Sequence, residues 1–266
     1  MPRPTLDTIL RLARDRAQML AGRAHELERQ AAAVPDPPSF AGALAGSTVG
    51  VVAEVKRRSP TVGSIREDLD PVRHAQAYAR GGAAAISVLT EEPHFGGSLD
   101  DLARVAGEVR LPVLRKDFIV HDLQMVEARA AGAAAVLLIV RLLEPAALQR
   151  LARAARSQGL GVLIEVHTID ELGPALAAEP TAVGVNSRDL ATFAVHLSVA
   201  ERLVGQVPPE IPAIAESGIE TRADVERLAA AGADLVLVGA SVARTEDPAA
   251  AVRALTGVPR RGRRTT

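Results

Sequence analysis

Apolar and polar positions along the chain follow two periodicities. Over residues 6–33, Leu6, Ile9, Leu10, Ala13, Ala17, Leu20, Ala24 and Leu27 recur every three or four residues with Arg and Glu between them, which predicts an amphipathic helix. Val34-Pro35-Asp36-Pro37-Pro38 stops it, because proline cannot continue a helical ladder. Beyond that point short aliphatic runs alternate with stretches rich in Ala, Arg, Leu and Glu, the signature of βα units building a parallel sheet. The predicted strands are 49–55, 84–89, 112–115, 134–140, 161–166, 182–185, 212–216 and 235–239. Eight units share roughly 208 residues between Val49 and Thr256, about 26 each, enough for a strand, a helix and two short loops. Gly82-Ala83, Gly132-Ala133 and Gly232-Ala233, 50 and then 100 residues apart, each close a helix and open a strand, with glycine where a helix C-cap needs positive φ. The predicted class is therefore α/β: a (β/α)8 barrel over residues 48–257, preceded by a helical extension over 1–47. The Arg-rich end, 258–266, is expected to be a disordered basic tail. The competing doubly wound open sheet has fewer strands and a Gly-rich first turn, and neither G-x-G-x-x-G nor a P-loop motif occurs.

Composition narrows the chemistry. Apolar residues make up 48% of the 266 but aromatics only 2%, so the core is aliphatic. A net charge of -1 lacks the basic field that nucleic acid or an anionic membrane would require, so neither is expected as a partner. The absence of cysteine excludes disulfides, thiolate zinc sites, Cys-ligated clusters and a Cys nucleophile, and suits a reducing compartment. The longest apolar candidate, Ala130 to Val140, is too short to span a bilayer and ends at Arg141, so a cytoplasmic protein is expected.

Rare residues point to the site. Lys plus Arg total 31, yet only Lys56 and Lys116 are lysines, and Asn186 is the lone asparagine. Arginine suffices wherever solvated charge is wanted, whereas lysine can lose its proton and act as acid, base or nucleophile. In a parallel barrel all eight strand ends face one mouth. Both lysines and Asn186 fall at such ends, together with Glu165 and Glu216. Glu54 and Lys56, two apart on the first strand, share its inward side. Small residues after the last two strands, Ser217-Gly218 and Gly239-Ala240, leave backbone N–H groups open to an anion, which favours a phosphorylated small molecule. Phe95 and Phe118, half of the four phenylalanines, sit just past strand ends and suit an apolar wall for a flat ring. The six histidines show no ligand spacing and read as surface residues; no metal and no cofactor is called for.

These motifs resemble one family, the indole-3-glycerol phosphate synthases of tryptophan biosynthesis. The resemblance rests on six segments in family order: Ala53-Glu54-Val55-Lys56-Arg57-Arg58-Ser59-Pro60; Ser87 to Glu91 with Phe95-Gly96-Gly97-Ser98; Leu114-Arg115-Lys116-Asp117-Phe118; Ile164-Glu165-Val166-His167; Gly184-Val185-Asn186-Ser187-Arg188-Asp189-Leu190; and Ala215-Glu216-Ser217-Gly218. It implies a helical extension over the barrel mouth and a cofactor-free decarboxylating lyase. The substrate would be 1-(2-carboxyphenylamino)-1-deoxyribulose 5-phosphate, closed to indole-3-glycerol phosphate with loss of carbon dioxide and water. It also implies roles. Lys116 would protonate the carbonyl oxygen as the ring closes, and Lys56 and Glu165 would share the remaining proton transfers in an undivided way. Glu54 would hold Lys56, and Asn186, Arg188 and Glu216 would orient the sugar and carboxylate, with Phe95, Phe118, Leu137 and Leu190 against the substrate. Ser59, Ser217, Gly218, Gly239 and Ala240 would take the phosphate, Ser217 also belonging to the catalytic set. A monomer or weak homo-oligomer is expected.

Three departures stand out. Many relatives carry Ser-Lys after the Ser-Pro pair where this chain has Thr61-Val62, many carry Ser or Glu where it has Ala240, and the tail from Val258 has no recognised counterpart. Two rival readings are a phosphosugar isomerase or Schiff-base aldolase with Lys116 as nucleophile, and a phosphate-binding barrel without catalysis. Two titratable amines beside two carboxylates argue against the second.

Overall fold

The computed structural model describes residues 5–59, 63–189, 192 and 194–263. Eight parallel strands close on themselves: β1 (Gly50–Val55), β2 (Ala85–Leu89), β3 (Val113–Lys116), β4 (Ala135–Ile139), β5 (Gly161–Val166), β6 (Ala182–Asn186), β7 (Ala213–Glu216) and β8 (Leu235–Val238), with β8 returning to β1. Every strand boundary lies within one residue of its predicted position. The strands are buried on both faces, which is why they read as continuous aliphatic runs.

Register and two-residue alternation sort the inward side chains into layers. Ala85, Ala135, Ala182 and Leu235 from the even strands lie lowest, and Val52, Leu114, Leu163 and Ile214 from the odd strands lie above them. Ser87, Leu137, Gly184 and Leu237 follow. The top layer comes from the odd strands again and is charged throughout: Glu54, Lys116, Glu165 and Glu216. An apolar plug thus carries a layer of ionisable groups at the C-terminal end of the strands. Outward strand residues and the surrounding helices form a second aliphatic cluster.

The helix predicted over 6–33 is two helices, α1 (Leu6–Leu20) and α2 (Ala24–Ala33), divided by a 3-10 turn at Ala21–Arg23. Gly22 lies in that turn, where the lack of a side chain weakens helical continuity. The extension is not confined to the mouth. Ile9 of α1 lines the mouth cavity, and Arg16 donates to Asp117 Oδ1 at 2.9 Å. Next, α2 packs on the helix Leu123–Ala130, whose Arg129 donates to the carbonyls of Val34 and Pro35. Phe40 and Leu44 then join the inner cluster at the opposite end, so close that a Cβ on Gly161 would lie 2.9 Å from Phe40 Cδ1.

The end of the chain also differs from the expected disorder. Val258 is buried, Arg260 donates to the carbonyls of Thr48 and Leu44, and Arg263 pairs with Asp234 at 2.6 Å. Guanidinium forks satisfying backbone carbonyls and a carboxylate fix this segment as far as residue 263, and 264–266 lie outside the described residues. Two histidines are not surface residues: His74 and His167 are buried. His74 sits on the inner face of the helix Pro71–Gly81, edge-on to Tyr78.

Candidate active site

A cavity of about 300 Å³ opens at the mouth, and its floor is the charged layer. Lys116 is the hub. Its Nζ forms a close ion pair with Glu216 and lies 3.6 Å from Glu165 Oε2 and 4.0 Å from Glu54 Oε2. Lys56 Nζ, two residues up β1 from Glu54, is 3.4 Å from Glu54 Oε1 and 5.2 Å from the centroid of the Phe95 ring. The Phe95 and Phe118 rings meet at 6.2 Å and 48°, forming one apolar wall. Asn186 Oδ1 accepts from the backbone N–H of Arg188 at 3.0 Å, which directs the side-chain amide toward Glu165.

Three carboxylates around one ammonium set the proton affinities. Burial works most strongly against the charge of Lys116, but Glu216, Glu165 and Glu54 together hold it above its ordinary value. Lys56 moves the other way, lowered chiefly by burial and further by the Lys116 charge, with Glu54 opposing. For Glu165 burial favours the neutral form, yet Lys116 and His167 prevail and hold the carboxyl below its ordinary range. Glu216 is pushed up to about 7 by burial and by the charges of Glu165 and Glu54, against the pull of Lys116. With more carboxylates than nearby fixed cations, Glu216 is the carboxyl of this layer whose charge is most weakly held near neutral pH.

Two glycines make room for this layer. A Cβ on Gly184 would lie 2.2 Å from Glu216 Oε1, and one on Gly239 would lie 2.7 Å from Glu54 Oε1. Gly239 also lines the cavity with Ser59, Ser217, Gly218 and Ala240. Ser217 and Gly218 both have positive φ, at 68° and 80°, an unusual conformation for serine that turns the chain sharply after β7.

The cavity lining includes every sequence-derived site residue except Leu190, which lies outside the described residues, as do Pro60, Thr61 and Val62. Sequence reasoning did not anticipate Ile9, Glu91, Asp117, Ile139, Leu237 or Arg244, which also line it. Asp117 stood beside Lys116 in a recognised segment, so a signal existed. Its role is visible only in space, where it accepts from Arg16, Thr90 and the Phe118 backbone N–H and holds α1 to the end of β3. Arg244 carried no signal, following a four-residue helix with nothing in its spacing to set it apart.

A closed parallel barrel with lysines and carboxylates converging beneath an apolar wall defines a (β/α)8 enzyme built for proton transfer to and from a small ligand. Comparison with known proteins fixes the family. The indole-3-glycerol phosphate synthase profile matches residues 6–255. The indole-3-glycerol phosphate synthase of Dehalococcoides mccartyi (strain CBDB1) is 49% identical over 226 residues, 84% of this chain and 87% of that protein. That of Mycobacterium avium (strain 104) is 46% identical over 255 residues, 94% and 93% of the two chains. Among solved structures, a thiamine phosphate pyrophosphorylase from Pyrococcus furiosus superposes with a TM-score of 0.58 at 19% identity, covering 82% of this chain and 96% of that one, a likeness of fold alone. The chain belongs to the indole-3-glycerol phosphate synthase family, whose members are decarboxylating lyases of tryptophan biosynthesis acting on a phosphorylated small molecule.

Proposed function

We propose that the charged layer carries out ring closure, decarboxylation and dehydration of 1-(2-carboxyphenylamino)-1-deoxyribulose 5-phosphate, with Lys116 as the principal acid. The observation that carries this reading is the set of three carboxylates holding Lys116 cationic at the floor of the cavity. As the ring carbon bonds to the C2 carbonyl carbon, negative charge develops on the carbonyl oxygen and Lys116 supplies its proton. Departure of carbon dioxide leaves its bonding electrons to restore the aromatic ring. The C2 hydroxyl then leaves as water on taking a second proton, and a proton is removed from C1 to form the indole double bond. Glu165, kept ionised by Lys116 and His167, is available to take the proton in that last step, and Lys56, loosely held and within reach of Glu54, suits the donor to the hydroxyl.

The apolar wall of Phe95 and Phe118, with Leu137, Leu237 and Ile9, offers a place for the anthranilate ring. Ser59, Ser217, Gly218, Gly239 and Ala240 would hold the phosphate, and Arg188 and Asn186 the sugar and carboxylate. A Schiff-base role for Lys116 is disfavoured, because an amine nucleophile must be neutral and three carboxylates oppose that. A net charge of -1 argues against nucleic-acid or anionic-membrane partners, and the lack of cysteine suits a reducing, cytoplasmic setting.

Indole formation tests this directly, since the protein has no Trp and one Tyr and so contributes little background. Growth of indole absorbance and fluorescence from the carboxyphenylamino substrate, with no lysine alkylated on borohydride treatment, is expected. A borohydride-trapped lysine, or substrate binding without indole, would overturn the reading.

Two further outcomes follow from the layer. Because Glu216 is held up to about 7, it is protonated below and anionic above that pH, and only the anion pairs fully with Lys116. The kcat/KM profile should therefore fall on the acid side near pH 7, and Glu216→Gln, which cannot titrate, should lose that limb. Gly184→Ala should remain folded but melt below the parent, because the added methyl displaces the buried Glu216 carboxylate from its pair with Lys116 and crowds Leu163 Cδ1 at 3.3 Å. Its kcat should also drop about tenfold or more, as expected when a catalytic contact shifts by about an ångström.

A further inference from the structure

His167 follows β5 two residues after Glu165, and its buried side chain is absent from the cavity lining. Its Nε2 lies 3.4 Å from Glu165 Oε1, and its Nδ1 lies 3.5 Å from Glu171 Oε2. Glu171 is fixed in turn: its Oε2 accepts the backbone N–H of His167 at 2.6 Å, and its Oε1 accepts from Arg141 Nε at 3.0 Å. On the other side, Glu165 Oε2 faces Lys116 at 3.6 Å. The row Arg141, Glu171, His167, Glu165, Lys116 alternates in sign from the half-exposed rim to the cavity floor.

The chemistry of the two ring nitrogens decides the charge of His167. Both face carboxylates, which only accept, and a neutral imidazole has a single N–H to give. At 3.4 and 3.5 Å neither nitrogen closes a hydrogen bond, so the match is one of charge: the imidazolium places a cation between two buried carboxylates. We propose that His167 is a cationic positioning residue for Glu165: it holds one oxygen of that carboxylate from behind, so that the other stays ionised and aimed at Lys116 and the substrate. The charged groups facing its ring are Glu165 from β5 and Glu171 and Arg141 from the neighbouring turns. Burial disfavours the imidazolium most, yet Glu171 and Glu165 together outweigh it and Arg141, leaving the ring above its ordinary value. This inference rests on Glu165 acting as the base of the proposed reaction.

The consequence is a pH dependence with a fixed sign. His167 is cationic at low pH and loses its proton as pH rises through its raised value, so kcat should decline on the alkaline side as Glu165 loses its anchor. His167→Gln, neutral at every pH and still able to donate, should lower kcat about tenfold or more near neutrality with KM within about twofold, and should lack that alkaline step. Glu171→Gln should shift the step to lower pH while leaving the reaction running. An independent readout is the 15N resonance of the imidazole, assigned by its disappearance in His167→Gln; it should titrate above about 6.5 and move down in Glu171→Gln. A ring that titrates at or below that value, or that ignores Glu171→Gln, overturns the proposal, as does a His167→Gln enzyme with unchanged kcat and pH profile. If His167→Gln does not fold, the ring signal is assigned by through-bond correlation to the backbone of residue 167, and the Glu171→Gln titration still decides. If the parent enzyme forms no indole, the functional reading fails, while the imidazole titration still reports the charge of His167.

Discussion

Lys116→Met is expected to lower kcat by about 10³-fold or more while KM and the affinity for a product analogue stay within about tenfold. Methionine fills nearly the same volume, so the cavity is kept and only the proton and charge are lost. The proton is needed where charge develops, on the carbonyl oxygen during ring closure, which is why the loss should fall on kcat. Stability should respond in a particular way. Removing the ammonium takes away the charge that lowers Glu165 and Glu216 in this buried layer, and these two will retain protons that an unfolded chain would release. Groups bound more tightly to protons in the folded state stabilise it at low pH and cease to do so as pH rises through their folded values. The variant should therefore melt close to the parent at about pH 5 and fall progressively below it toward pH 8. Equal loss of kcat and ligand affinity, or a melting difference independent of pH, would contradict the assignment.

Glu165→Gln is the second large effect. It keeps the shape and hydrogen-bonding reach of the carboxyl but removes its capacity to take a proton, and a loss of about 10²- to 10⁴-fold in kcat is expected for a missing general base. Lys116 retains Glu216 and Glu54, so its charge should persist and ring closure should survive. The variant should then release carbon dioxide in a first turnover and stall before dehydration, leaving a hydroxylated indoline. A single-turnover measurement following carbon dioxide and indole separately checks this. Indole formed at the parent rate would show that the base lies elsewhere, with Lys56 the next group to examine.

The fold was legible because both periodicities have one physical cause each. Strands buried on both faces are aliphatic along most of their length and carry their charges at the C-terminal ends, so each appears as an aliphatic run, and Gly82, Gly132 and Gly232 marked helix ends because their φ values, 92°, 82° and 105°, penalise any side chain. The anchoring of Arg260 and Arg263 was hidden, because it depends on carbonyls distant in sequence, whereas the split of the first helix had a local signal in Gly22 that the apolar periodicity on either side of it masked. The site was legible as a set of strand ends but not as a set of pairs. Alternation put Glu54 and Lys56 together, yet nothing in the sequence tied Lys116 to Glu216, 100 residues away; barrel closure and register did that. The same closure explains why glycine stands at 184 and 239, where neighbouring carboxylates occupy the space a Cβ would need. It also explains why His167, read as a surface histidine, is buried between Glu165 and Glu171.

The central claim is that the two lysines are driven apart, Lys116 above and Lys56 below the ordinary lysine value. Because the chain contains only Lys56 and Lys116, 15N labelling of lysine yields two side-chain signals, separable by Lys116→Met. Following both through an alkaline titration tests the claim without substrate. Lys116 should stay protonated past the ordinary lysine value of 10.5, and Lys56 should lose its proton below it. A Lys116 that titrates at or below that value, or two lysines that titrate together, would contradict the account.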